Sequence, residues 1–251
     1  HLKDFGEQRP SARQNEPAAS LIRGRRSAQH FDRQAQMPEA CFTTIIRALL
    51  PAHQLPWDAW PWAPRVHGIF YVYRVDGVEP GVYVLPRSER GEAMLRHEIK
   101  AASTWVLARS LMRDDQGHDW PLWRVAEHPG LPGALRQLSC HQAIASDACW
   151  SMSMVAEFDG ALGERADAYR LLLQEAGLMG QALYLNAEAQ GFRGTGIGCY
   201  FDDAVHHLLS IDGERLQVLY HFTVGMPTVD SRIQTEPPYD HLSPFRLEGS
   251  P

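Results

Sequence analysis

Apolar positions fall on nearly every side of the stretch AYRLLLQEAGLMGQALYLNAEAQGFRGTGIGCYFDD, Ala168 to Asp203, and its first two-thirds hold strong helix formers and no proline. That pattern predicts a long helix buried on all sides. Small residues at Ala176, Gly177, Gly180 and Ala182 recur three to four apart, a spacing that lets another backbone or a flat ligand approach one face. Gly191, Gly194, Gly196 and Gly198 then predict a glycine-rich turn with backbone N–H groups directed at a ligand.

The remaining elements follow from period and punctuation. Pro17 opens a short helix through Arg23 that Gly24 closes, and EACFTTIIRALL after Pro38 carries a helical apolar face to Leu50. Residues 51–64, rich in proline and tryptophan, read as an ordered loop anchored by Trp57, Trp60 and Trp62. Val66 to Val75 and Gly81 to Leu85 form a predicted hairpin around Asp76-Gly77. Residues 87–113 read as one or two helices, 114–133 as an irregular loop, and Ala134 to Leu138 as a short helix. Ala148 to Phe158 reads as a central strand with methionines on one side, or as a helix; Asp202 to Leu209 reads as a helix and Gln217 to Val224 as a strand. Residues 1–16 are a polar tail or linker, 17–251 one domain, and prolines at 227, 237, 238, 244 and 251 predict an extended C-terminal tail lying over another surface.

Composition narrows the function. Apolar residues at 44% and charged residues at 22% are globular proportions, and no apolar run is long enough to span a bilayer. A formal net charge of −6 disfavours nucleic acid, which needs a basic face. Four cysteines without CxxC pairing predict neither a zinc ribbon nor a disulfide scaffold, and with no signal peptide the expected compartment is the cytoplasm. Lysine occurs only at positions 3 and 100, so a catalytic lysine in the second half is excluded. The start at His1 fits a chain that is the later part of a longer polypeptide.

Arg23, Arg25 and Arg26, followed by Ser27, read either as a solvated basic face or as an anion site whose guanidinium forks and hydroxyl match a phosphate and a ribityl chain. Arg232, isolated in the tail, reads as a further phosphate contact or as a surface residue. The run Gly194-Thr-Gly-Ile-Gly198 is no dinucleotide fingerprint, because it closes a helix instead of linking a strand to one. Cys140-His141, Cys149 and His206-His207 lack metal-ligand spacing, and no nucleophile elbow, P-loop or HExxH occurs.

RRSAQHF, the hairpin VDGVEPGVY, the helix segment EAGLMGQAL, the GTGIGCYFDD stretch and LYHFTVGMP with a following arginine together resemble the nitroreductase-like flavoprotein superfamily, over roughly residues 17–240 and closest to its SagB-type branch of thiazoline/oxazoline dehydrogenases. The resemblance implies an α+β, three-layer α/β/α sandwich with a mixed, mainly antiparallel central sheet. It implies FMN as cofactor, NAD(P)H as co-substrate and a small-molecule acceptor. Arg25, Arg26, Ser27 and Arg232 would hold phosphate and ribityl; Gly196, Gly198 and Cys199 would present backbone N–H groups to the flavin edge; Arg65 and His67 would line its pyrimidine side. There, positive charge stabilises the negative charge of the reduced ring, so Arg65 is the expected donor. Gln29 stands where the family often carries a second arginine. The lysine-tyrosine pair of azoline oxidation has no counterpart, since alanine follows Lys100. The flavin is the redox centre, with no catalytic side chain and no metal. The family's sites form between two subunits, so a homodimer or a pairing with a fused homologous domain is expected, the tail covering the partner. The alternatives are a SagB-type peptide azoline dehydrogenase and a flavin-free scaffold half.

Overall fold

A computed structural model describes residues 16–51, 55–101, 104–113, 117 and 119–239; the expected N-terminal linker, apart from Glu16, and the end of the tail lie outside them. Seven strands form one sheet: β1 (Val66–Val72), β2 (Gly81–Leu85), β3 (Val106–Arg113), β4 (Asp119–Ala126), β5 (Trp150–Glu157), β6 (Arg193–Ile197) and β7 (Leu216–Gly225). Their order is β3-β4-β2-β1-β5-β7-β6, and every neighbouring pair is antiparallel. The helices are α1 (Ala18–Gly24), α2 (Glu39–Arg47), α3 (Glu89–Glu98), α4 (Leu131–Leu138), α5 (Ala143–Asp147), α6 (Asp159–Glu164), α7 (Ala168–Ala189) and α8 (Asp202–Leu209).

Alternation along the central strands builds two cores. Trp150, Met152 and Met154 of β5 join Phe70, Phe222 and the buried sides of α2 and α7 on one face. Ile69, Tyr71 and Val155 meet α3, α4 and α8 on the other, completing three layers. Phe42, Phe70 and Trp150 pack edge to face between α2 and the sheet, with centroids 5.5–6.1 Å apart.

The structure departs from the sequence reading in four places. The segment read as the end of a helical region and the following loop form the β3–β4 hairpin. The glycine-rich stretch is a strand, β6, at the sheet's edge. The long helix α7 is not buried all round: Tyr169 and Leu173 are 52% and 41% exposed, and a Cβ added at Gly177 would meet nothing within 4 Å. Cys140 and Cys199, in a chain read as no disulfide scaffold, form a disulfide that ties the α4–α5 connection to the β6–α8 connection.

On the sheet face under α4 and α5, cross-strand pairs Ser151–Thr223 and Ser153–His221 are buried and hydrogen-bonded. His221 meets Ser153 Oγ through Nε2 at 3.0 Å and Ser139 Oγ through Nδ1 at 3.2 Å, and its ring stacks on Tyr200. Burial holds the His221 imidazole down at about 3, so it stays neutral in the folded chain while the unfolded chain protonates it near 6.5. Its stabilising contribution is complete above pH ~6.5 and declines by about 1.4 kcal/mol per pH unit on acidification towards its folded value. Chemical denaturation at a series of pH values below neutrality is expected to show that slope reduced in His221→Gln; equal slopes in the two proteins would exclude the assignment.

Candidate functional site

The segment after α1 lies along the outer edge of β6. Ala28 donates its N–H to Gly194 O at 3.1 Å, and its carbonyl accepts from Thr195 Oγ1 at 2.7 Å. This docking sets Arg25, Arg26 and Ser27 beside the C-terminal half of α7. The Arg25 guanidinium lies 4.5 Å from the centroid of the Tyr184 ring. Tyr184 Oη is 2.9 Å from Ser27 Oγ and accepts the Gly196 N–H at 2.8 Å. One hydroxyl of α7 thus joins the arginine segment to the edge strand. Arg26 donates through Nη1 to the carbonyls of Arg23 and Arg25, at 2.8 and 2.9 Å, and through Nη2 to Glu236 O at 3.0 Å.

Beside these residues opens a cavity of about 390 Å³, lined by Arg26, Ser27, Gln29 and Arg193 and, from the tail, by Asp230 and Glu236 among others. The described part of the tail, 228–239, lies along the arginine cleft of its own chain. Arg232 is not part of the cluster. It forms a two-pronged ion pair with Asp230, at 2.9 and 2.7 Å, and its side chain is largely exposed. Arg193, which the sequence did not single out, supplies the additional cation; its Nε is 3.3 Å from the buried Glu188 carboxylate.

Gly196 is required by packing, since a Cβ there would lie 2.9 Å from the Tyr220 ring. Gly198 and Cys199 follow β6 in an exposed connection, and their N–H groups make no hydrogen bond to the described residues. Cys199 O accepts from Gln142 Nε2 at 3.2 Å. From Thr195, where Ala28 docks, to Gly198 is about 10 Å of extended chain.

Arg65 and His67 lie elsewhere. Reading the register from Thr195 across Thr223 and Ser151 to Tyr71 places Arg65 three strands over and six residues along, roughly 25 Å from the arginine segment. Arg65 pairs with Glu164 and donates its backbone N–H to Glu175 at 3.1 Å, beside a groove of about 270 Å³ that includes Trp60 and Trp62. His67 is fully buried. Its Nδ1 accepts the Arg87 N–H at 3.1 Å, which leaves Nε2 to carry the proton towards Glu157, 3.2 Å away. The His67 side chain is thus engaged within its own chain and not exposed at a ligand surface. A ring between Gly91 of α3 and the sheet has no free face.

The residues present fit a flavin mononucleotide at one end. Among the described residues Arg25 and Arg26 have no carboxylate partner, Ser27 and Tyr184 offer hydroxyls, and the N–H groups of Gly198 and Cys199 are free at a ribityl's length beyond. The other end, where Arg65 was expected, is not completed within one chain. The described residues contain no cluster of potential metal ligands and no helix long and apolar enough to cross a membrane.

An antiparallel sheet between two helical layers, its glycine-rich edge strand flanked by an arginine-rich segment, makes an α+β sandwich. The chain belongs to the nitroreductase family, whose family model matches residues 22–226. Among solved structures it is similar to a nitroreductase-like protein of Anabaena variabilis, at 19% identity and a TM-score of 0.62 over 84% of this chain and 38% of that one. It thus spans little more than a third of that relative's length. It is also similar to the NADPH:FMN oxidoreductase of Vibrio harveyi complexed with NAD+, with 17% identity, a TM-score of 0.52 and coverage of 90% and 74%. A third similar structure is the Escherichia coli microcin synthetase McbBCD with truncated pro-MccB17 bound, with 15% identity, a TM-score of 0.57 and coverage of 92% and 79%. Identities this low establish the fold alone. No curated protein matches the chain.

Proposed function

We propose that this protein is an FMN-dependent oxidoreductase that takes hydride from NADH or NADPH and passes it to a small electron-poor acceptor. The observation that carries this reading is the Arg25–Arg26–Ser27 segment held against β6 through Tyr184, in a chain of the nitroreductase family. FMN, when bound, supplies the hydride-transfer chemistry. Arg25 and Arg26 neutralise its phosphate, the Ser27 hydroxyl orients the ribityl chain, and the Gly198 and Cys199 N–H groups position the ring edge as donors.

Arg65 reaches the same cofactor only from a second copy or a fused homologous domain, because its own chain holds it at the far end of the sheet. The exposed stripe of Tyr169, Leu173 and Gly177 on α7 is the apolar surface such a pairing would cover. A second reading, dehydrogenation of a peptide-borne ring, draws support from the likeness to a microcin synthetase holding a peptide.

Titration of the purified protein with FMN, followed by flavin fluorescence, is expected to show saturable binding, and anaerobic NADH or NADPH is expected to bleach the bound flavin. A bound flavin inert to both nucleotides favours the peptide reading. No FMN uptake removes both and leaves the flavin-free scaffold.

A further inference from the structure

The arginine cleft has a second lobe. Thr235 and Glu236 of the tail cross the cleft, tied down by the Arg26–Glu236 hydrogen bond of 3.0 Å. On the inner side lies the cavity beside Ser27; on the outer side opens a lobe of about 700 Å³ whose walls include Arg23, Arg26 and Arg193, with Pro237 and Pro238 at its rim. Three guanidinium groups thus converge on one concavity in a chain whose net charge is −6.

Their donors are not used up. Arg23 engages no carboxylate among the described residues, so its five N–H groups are available. Among the described residues Arg193 binds Glu188 through Nε, and its four Nη hydrogens have no acceptor there. Arg26 commits Nη1 to two carbonyls and one Nη2 hydrogen to Glu236, which leaves Nε–H and one Nη2 hydrogen. Solvated surface arginines sway freely. Here Arg26 is fixed by three carbonyls and Arg193 by a buried carboxylate, so little order remains to be imposed when an anion binds. Arg25 lies over Tyr184 and lines neither lobe.

We propose that the outer lobe binds a second phosphoryl group next to the first, so that the cleft as a whole takes a diphosphate. The assignment rests on placing the flavin phosphate at Arg25–Ser27. The second phosphoryl group has two sources: the internal diphosphate of a flavin dinucleotide, whose adenylate would extend through the open outer lobe, or a separate phosphate anion seated in the outer lobe beside the FMN phosphate.

The test uses inorganic pyrophosphate, orthophosphate, FMN and FAD at constant ionic strength, on the intact chain and on Arg23→Ala. Arg23 is exposed and carries no ion pair among the described residues, so this variant keeps the fold. Calorimetry is expected to show pyrophosphate binding more tightly than orthophosphate, and Arg23→Ala weakening pyrophosphate by about tenfold. FMN affinity, read by flavin fluorescence, stays within about twofold in that variant. A parallel tenfold or so loss for FAD identifies the dinucleotide as the source. Orthophosphate binding to the FMN-saturated protein, weakened by Arg23→Ala, identifies the separate anion. Pyrophosphate no tighter than orthophosphate, or equal losses of FMN and pyrophosphate in Arg23→Ala, would overturn the proposal. Pyrophosphate bound in an Arg23-dependent way with no FMN uptake would uphold it while removing the flavin assignment.

Discussion

Arg87→Met is expected to lower stability by about 3–5 kcal/mol, the largest single effect outside the hydrophobic core, because it leaves the buried Glu175 carboxylate without its partner. Arg87 is fully buried. Its Nε donates to Leu49 O at 2.6 Å and its Nη1 to Val66 O at 2.9 Å, the same Nη1 also pairs with Glu175, and the guanidinium sits 4.2 Å from the Trp57 ring centroid. One side chain thereby ties the end of α2, the start of β1 and the first half of α7. Burial pulls the guanidinium below its ordinary value, and Glu175 pushes it back up. Methionine matches the aliphatic stem but not the charge. Thermal unfolding is expected to shift down by about 10 °C. Arg87→Met combined with Glu175→Leu removes both charges and should recover a substantial part of the loss. If the double variant is as unstable as Arg87→Met, the penalty lies in packing and not in the stranded carboxylate.

Arg26→Ala is expected to weaken FMN binding by about 10- to 100-fold, the loss of one or two charge-assisted hydrogen bonds to phosphate. The structure adds a second effect. Arg26 organises the backbone carbonyls of Arg23 and Arg25 and holds the tail at Glu236, so alanine also loosens the cleft's crossing strap. Limited proteolysis should therefore cut the tail near residues 235–238 faster in Arg26→Ala than in Arg25→Ala, while both variants lose FMN. FMN affinity unchanged in both would place the phosphate elsewhere.

Much of this architecture is legible in the chain because its signals are local. Pro17, Gly24 and Pro38 mark helix boundaries by their own backbone restrictions, and the hairpin of β1 and β2 follows from β-branched runs around Asp76-Gly77. The β3–β4 hairpin escapes such reading. WVLARSLMR holds good helix formers, and Pro121 inside β4 looks like a loop signal, yet it sits opposite Ser110 where the ladder is irregular. The glycines of β6 look like a turn for a related reason. They are there because Phe222 and Tyr220 of β7 fold over the edge strand: a Cβ at Gly194 would lie 2.5 Å from the Phe222 ring.

The site divides the same way. Arg25, Arg26 and Ser27 are adjacent in sequence and could be found as a group. Tyr184 stands 157 positions from the serine it contacts, and its sole signal was a hydroxyl on an otherwise apolar stretch of helix. Arg193 was readable only as an arginine five residues past a glutamate, a spacing that means little until the helix ends between them.

The sheet's two edges are unequal. Ala28 and Tyr184 occupy the outward-facing groups of β6 at Gly194 and Gly196, whereas β3 exposes Val106 and Leu107 and has no strand beyond it among the described residues. A sheet with one closed border has a valence of one. Strand-to-strand association through β3 joins two chains and then stops, since neither offers a second border for a third. Misassembly by that route is expected to end in a pair, which cross-linking of the concentrated protein would show as dimers without a ladder of higher species.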